Sequence, residues 1–257
     1  VKKVKLNMYR ALKVARGMTP ATVRSLIKQV MPQSVRQAFN RLPGRPGFLK
    51  HQLSQLGDNV TFVQVGCHDG HDDPVRQLAM ERIGWRGVLV EAVPYIFERL
   101  SRNYSDPRFA LVNMAVANQT GVVPFYHVAE EAGEKLRLPE WFDQIGSLDR
   151  AHIVKHLGPS IEPYIRALMV PSDTLIRILE MHGVFRVDYL QIDTEGYDFE
   201  ILKQVDFERL LPRLILYEHR NLSEQDQRAA RELLSSKGYQ TTVDGYDTLA
   251  SRANHVK

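Results

Sequence analysis

The residues best placed to do chemistry in this 257-residue chain fall in three short clusters. Gly66-Cys67-His68-Asp69-Gly70 closes an apolar run, and Glu91 closes the next one, 21 positions after Gly70. Asp193-Thr194-Glu195-Gly196 and Glu218-His219 close two more. Glycines at a strand end let the backbone approach a ligand, and an acid at the end of the following strand accepts hydrogen bonds from ribose hydroxyls. The pair points to a nucleoside-containing cofactor. Gly66-x-x-x-Gly70 is not the G-x-G-x-x-G of a dinucleotide site, and Asp69 and Asp72 would repel a pyrophosphate there. They tolerate a sulfonium or an α-amino group, and S-adenosylmethionine carries both. A plain strand-turn-helix would use the same glycines; Glu91 at the right distance favours the cofactor.

These clusters need strands to carry them. From Asp58 onward, apolar runs alternate with helical patterns. Strands are expected at Val60–Val65, Gly87–Glu91, Phe109–Val116, Val122–His127, Val187–Asp193, Leu214–Glu218, Tyr239–Val243 and Thr248–Ser251. Helices are expected at Pro74–Ile83, Pro94–Asn103, Ser172–His182, Tyr197–Val205 and Ser223–Lys237, the last capped by Ser223 and closed by Gly238. Residues 128–170 break the rhythm and are expected to cap an acceptor pocket, with Trp141 or Phe142 against a sugar face or in the core. The alternation implies a mostly parallel sheet covered on both faces.

Ligands of such sheets bind beyond the C-terminal strand ends. The site candidates are therefore Gly66 to Gly70, Glu91, Asn113, Asp193 with Glu195, and Glu218 with His219. Each has an innocent explanation: Asp193 as a helix cap, Glu218 paired with Arg220 or Arg213, Asn113 in a turn. Together they read as one site. Cys67 is expected to be a small structural residue, with no base beside it.

Composition is that of a globular protein, and a single cysteine excludes an intramolecular disulfide, so a reducing, cytoplasmic setting is expected. No apolar run reaches membrane-spanning length. The net charge of +4 hides an asymmetry. Residues 1–50 hold twelve Lys or Arg and no acid, whereas the remainder carries 22 basic against 30 acidic side chains. Residues 1–57 read as a basic helical extension, with helices suggested by the apolar spacing of Val4, Met8, Leu12 and Ala15, by the Thr19-Pro20 start running to Val30, and over Val35 to Leu42, before a hinge at Pro43 to Gly47. Such a segment suits an anionic membrane surface or an acidic partner. A solvated extension packed on its own domain or a second subunit is preferred, because few apolar positions line each helix. Nucleic acid is not expected, since no recognition or stacking motif accompanies the charge.

Val63 to Gly70, Gly84-Trp85-Arg86-Gly87-Val88-Leu89-Val90-Glu91 and Leu190 to Asp198 resemble the FkbM-type methyltransferases, with Leu216-Tyr217-Glu218-His219 and Gly238-Tyr239 agreeing in order. The resemblance covers roughly residues 58–250 and not the basic segment. It implies an α/β class I methyltransferase (Rossmann-like) fold, with a seven-stranded sheet, an antiparallel terminal strand and residues 58–257 as the catalytic domain. It implies S-adenosylmethionine-dependent O-methylation of a hydroxyl on a sugar, glycan or secondary metabolite. By motif, Gly66, His68, Asp69 and Gly70 border the methionine part of the cofactor, Glu91 holds the ribose, and Asn113 and Ala115 lie near the adenine. Gln64 departs from the acid that often precedes the first glycine.

A hydroxyl needs a base or a metal to become a nucleophile. His219, Asp193 and Glu195 are the catalytic candidates, and Asp193 and Glu218, with Glu195 if it converges on them, are candidate Mg²⁺ ligands. The alternatives are an NAD(P)-dependent oxidoreductase or a non-catalytic nucleoside-binding module. The former is disfavoured because the Tyr-x-x-x-Lys it needs occurs only upstream, at Tyr9 and Lys13. A homo-oligomer is a further expectation. Liposome co-sedimentation with and without residues 1–42 tests the basic segment: a solvated extension predicts equal binding, and loss on truncation would establish a membrane role.

Overall fold

The computed structural model of the chain describes residues 47–71, 73–139 and 141–252. The helices expected before Pro43, most of the hinge, and Asp72 lie outside the described residues. Two compact units divide the chain, Val1–His51 and Gln52–Lys257. The described part of the first is Gly47–His51, where helix α1 (Phe48–Ser54) begins.

The second unit runs β1 (Val60–Val65), α2 (Pro74–Glu81), β2 (Trp85–Val90), α3 (Pro94–Asn103), β3 (Phe109–Val112), β4 (Ala115–Val116), β5 (Gly121–Val128), α4 (Ala132–Leu136), α5 (Arg150–Leu157), a 3-10 turn (Pro159–Tyr164), β6 (Ile165–Asp173), α6 (Leu175–Met181), β7 (Tyr189–Ile192), α7 (Asp198–Lys203), β8 (Leu214–Glu218), α8 (Glu224–Ser236), β9 (Tyr239–Asp244) and β10 (Asp247–Arg252). Seven strands form one sheet in the order β3-β2-β1-β7-β8-β10-β9. The first five are parallel, and β10 enters antiparallel between β8 and β9. The order reverses between β1 and β7, so their C-terminal ends flank the crevice where such sheets bind ligands.

Residue chemistry sets the helix starts. Asp73 caps α2 by accepting the Val75 amide at 2.7 Å, with Pro74 in the first turn. Ser223 caps α8 through the Asp226 amide at 3.1 Å. One sheet face packs Val63, Val65, Leu190, Ile192 and Ile215 against α6, α7 and α8. The other carries Phe62, whose ring lies 6.2 Å from Trp85 and 5.9 Å from Phe109, with Tyr104 closing the stack after α3. Gly87 makes room for that ring: a Cβ there would sit 2.4 Å from Phe62.

The structure departs from the expected elements in the middle of the chain. The strand expected over Phe109–Val116 is two strands, because β4 leaves the main sheet and pairs with β6. Residues 128–170 are more ordered than their lack of period suggests. They contain α4, α5 and most of β6, a nine-residue strand that pairs antiparallel with β5. Ser172 and Asp173 end that strand, and Thr174 caps the helix expected to start at Ser172. Among the described residues no helix is long and apolar enough to cross a membrane. Gly87→Ala is expected to lower stability by about 1–3 kcal/mol in chemical denaturation; an unchanged midpoint would contradict the placement of Phe62.

Candidate active site

β1 ends in a turn that bends twice through left-handed backbone before Gly70. Gly66 has φ 73°, His68 φ 49° and Gly70 φ 63°. A Cβ on Gly66 would meet the Asp193 carbonyl oxygen at 1.7 Å, so the β1 and β7 turns touch through their main chains. A Cβ on Gly70 would meet the Tyr104 ring at 2.6 Å.

The amides of this turn are largely spent. Gly66 and Cys67 donate to the Val90 carbonyl, Gly70 to that of Cys67, His71 to the Asp69 carboxylate and His68 to Glu91. A phosphate cradle needs such amides free and pointing outward. The turn therefore does not suit a pyrophosphate, and it suits a cofactor without one. Cys67 is buried, with its thiol on the Val90 carbonyl and its pKa raised by burial and then Glu91, as fits a structural residue.

Glu91 is buried just beyond β2. One oxygen accepts from Val93 N at 2.9 Å and the other from His68 N at 3.0 Å. Burial raises its pKa while these amides and His68 pull it down. Two accepted bonds leave lone pairs for a diol. The Asn113 amide donates to the Glu91 and Ala92 carbonyls, at 2.8 and 3.2 Å, and so fixes the backbone that presents Glu91. Ala115 is buried with Ala92 and Val170 in a small apolar cluster.

His68 joins the turn to the 128–170 segment. Its Nε2 lies 3.5 Å from Asp143, an ion-pair rather than a hydrogen-bond distance, and Asp143 accepts from Arg99 at 2.9 Å. Burial opposes the imidazolium, but Asp143, Asp69 and Glu91 outweigh it and raise the His68 pKa.

On the far side of Gly66, Asp193, Glu195 and Glu218 converge. Each offers an oxygen, and the three oxygens lie within 4.8 Å of one another. Asp198 organises them from beneath. It is buried and accepts from the Thr194 amide and hydroxyl, the Gly196 amide and the Glu218 amide, at 3.1–3.3 Å. Glu195 has φ 54°, a left-handed conformation that side-chain-bearing residues adopt at a cost. Its carbonyl accepts from Ser147 Oγ at 3.3 Å. Its Oε2 meets His152 Nε2 at 2.9 Å and the Asn221 amide at 2.7 Å. The same amide donates to Glu218 at 2.6 Å.

Crowding perturbs these acids. Burial, then Glu195, pushes Glu218 up to about 7. Burial pushes Asp198 up to about 7 against its donors, and burial pushes Asp247 up to about 6. Asp193 is raised well above its ordinary value by its depth in the domain and then by Asp198, Glu218, Glu195 and Asp247. The Asp193 residue is itself exposed, so water tempers the first cause and the neighbouring charges carry more of the effect.

His219 stands apart. Its Nδ1 meets Thr248 Oγ1 at 3.1 Å, and burial and Arg231 lower its pKa. The histidine bonded to the carboxylate cluster is His152, from a segment the sequence left without pattern. Asp198 and Asn221 were also missed. Asp198 had a readable signal, a short acid two residues past a turn glycine at a helix start; the other two had none. Glu218 pairs with neither proposed arginine, since Arg213 lies 3.6 Å from Asp188 and Arg220 stacks 4.2 Å over the Tyr246 ring. Phe142 packs within the 128–170 segment, against Gly133, whereas Trp141 is 44% exposed.

The sheet order and the antiparallel strand beside the edge are those of the class I methyltransferase fold. The chain belongs to the FkbM family: the Methyltransferase FkbM domain matches residues 64–241. It is an S-adenosylmethionine-dependent methyltransferase. Among solved structures it is similar to a methyltransferase from Geobacter sulfurreducens, at 13% identity over 91% of this chain and 97% of that one, with a TM-score of 0.45. It is also similar to an O-methyltransferase from Bacillus cereus in complex with SAH, at 13% identity over 97% and 100% and a TM-score of 0.43. A precorrin-6y C5,15-methyltransferase from Geobacter metallireducens GS-15 aligns at 14% identity over 81% and 90%, with a TM-score of 0.41. No curated protein matches the chain.

A carboxylate whose folded pKa is raised holds its proton longer in the folded than in the unfolded state, so its contribution to stability falls as pH rises between the two values. Glu218→Gln removes one such charge. The variant is expected to gain thermal stability relative to the native protein between about pH 5 and about pH 8. A stability difference constant over that range would contradict the crowding.

Proposed function

We propose that the protein methylates a hydroxyl of a sugar, glycan or related polyhydroxylated metabolite. The observation that carries this reading is the Glu195 carboxylate, held by two donors beside Asp193 and Glu218 and joined to the cofactor turn through Gly66. A hydroxyl needs a proton acceptor, and a cluster of acceptors suits adjacent hydroxyls. Trp141 offers an exposed ring for a sugar face.

S-adenosylmethionine, when bound, supplies a methyl group on a positively charged sulfur. Gly66, His68, Asp69 and Gly70 would border its methionine part, and Glu91 would hold its ribose. Asn113 acts through Glu91 and Ala115 through packing. Asp193 and Glu195 face the acceptor, with Glu195 taking the hydroxyl proton. The geometry favours Glu195 over His219 for that role, because His219 is turned to Thr248. Asp193, Glu195 and Glu218 are hard oxygen donors close enough together to share Mg²⁺, which would neutralise their repulsion and acidify a bound hydroxyl. Residues 128–170 would cover the acceptor.

Release of S-adenosylhomocysteine with a panel of methyl glycosides tests the reading. Turnover of at least one glycoside is expected, with Glu195→Gln slowed by about 100-fold or more. Turnover of none, or a fully active variant, would overturn it. Glu91→Ala is expected to weaken calorimetric binding of S-adenosylhomocysteine by about tenfold or more, equivalent to the loss of one or two hydrogen bonds to a charged group. Unaltered affinity would remove the ribose role.

A further inference from the structure

We propose that His152, on helix α5 in the segment joining β5 to β6, is the positioning residue of the methyl-transfer site: it holds Glu195 in the one orientation in which that carboxylate meets the acceptor. The inference rests on the assignment of Glu195 as the proton acceptor, and extends it to a residue in a different part of the chain.

The geometry is specific. His152 is 7% exposed, and its Nε2 lies 2.9 Å from Glu195 Oε2. A carboxylate only accepts, so Nε2 carries the hydrogen and the bond is directed at the charge that the reaction consumes. Asn221 donates to the same oxygen. With Oε2 held by two donors, Oε1 is the oxygen left for the hydroxyl proton. Ser147, five residues before His152, bonds the Glu195 carbonyl, and its own backbone pairs with Tyr126 on β5 at 2.8 and 2.9 Å. The same segment therefore grips Glu195 at main chain and side chain, at the residue whose left-handed backbone needs support. Asp149 caps α5 through the Ala151 amide and fixes the helix that carries His152. His156, one turn on, stacks on His152 with centroids 4.4 Å apart and limits rotation of its ring.

The proton balance is simple. The acceptor O–H bond breaks and its proton passes to Glu195. The electron pair stays on oxygen and forms the new bond to the methyl carbon, while sulfur keeps the pair of the bond it loses. His152 touches none of the reacting atoms. It keeps the carboxylate aimed, which is worth most when the proton is in flight.

The test uses the full chain and the methyl glycoside turned over fastest. His152→Ala is expected to lower kcat by about 100-fold, with KM for the glycoside and the Kd for S-adenosylhomocysteine within about twofold of native. His152→Gln, whose amide is also a donor, is expected to recover about tenfold of that loss. A His152→Ala enzyme with native kcat overturns the inference. So does a loss shared equally by kcat and cofactor affinity, which marks a merely structural role, or a glutamine variant no better than alanine. If no glycoside reacts, or Glu195→Gln is fully active, the assignment of Glu195 fails and this inference fails with it. If Glu195→Gln is dead and His152→Ala is not, this inference alone is lost.

Discussion

The carbonyl oxygen of Asp193 occupies the place where a side chain on residue 66 would begin, and much else follows from that contact. Only glycine allows it. It brings the turn after β1 against the turn after β7, so a cofactor at the first and an acceptor at the second, as proposed, would share one backbone junction. In-line transfer depends on small errors in distance and angle. A junction built from main chain, between two central parallel strands in register at Val65 and Ile192, restrains both turns at once.

The junction also concentrates charge. Asp193, Glu195, Asp198 and Glu218 arrive at adjoining strand ends, with Asp247 opposite Glu218 on β10. Their mutual repulsion weakens the folded state. Asp198 compensates in part by taking four hydrogen bonds from the loop and strand it supports, and Asn221 bridges Glu195 to Glu218. Crowding of this kind at the ends of interior strands is the pattern expected of acids kept for function rather than for stability.

The main sheet was legible because its strands are short apolar runs with punctuation. β1, β8 and β9 begin where the sequence places them, and Ser223 and Gly238 bound α8 as their chemistry requires. The middle of the chain was not legible. β6 alternates exposed and buried residues only in part, and its outer positions, such as Met169, are apolar despite being exposed, which erases the period-two signal. His152 was hidden for the same reason. No local pattern distinguishes it from His156 or His127; its partner lies 43 residues away across a tertiary contact. His219 adjoins Glu218 in sequence, but it lies one residue past the end of β8 and its ring meets Thr248 on β10 instead.

A crystal structure of the complex with S-adenosylhomocysteine would show whether Gly66 joins a cofactor site to an acceptor site. The ribose hydroxyls should lie within hydrogen-bond distance of Glu91, with the sulfur beside the Gly66 turn and facing Asp193 and Glu195. A nucleoside bound away from Glu91, or a sulfur separated from Glu195 by the protein backbone, would contradict it.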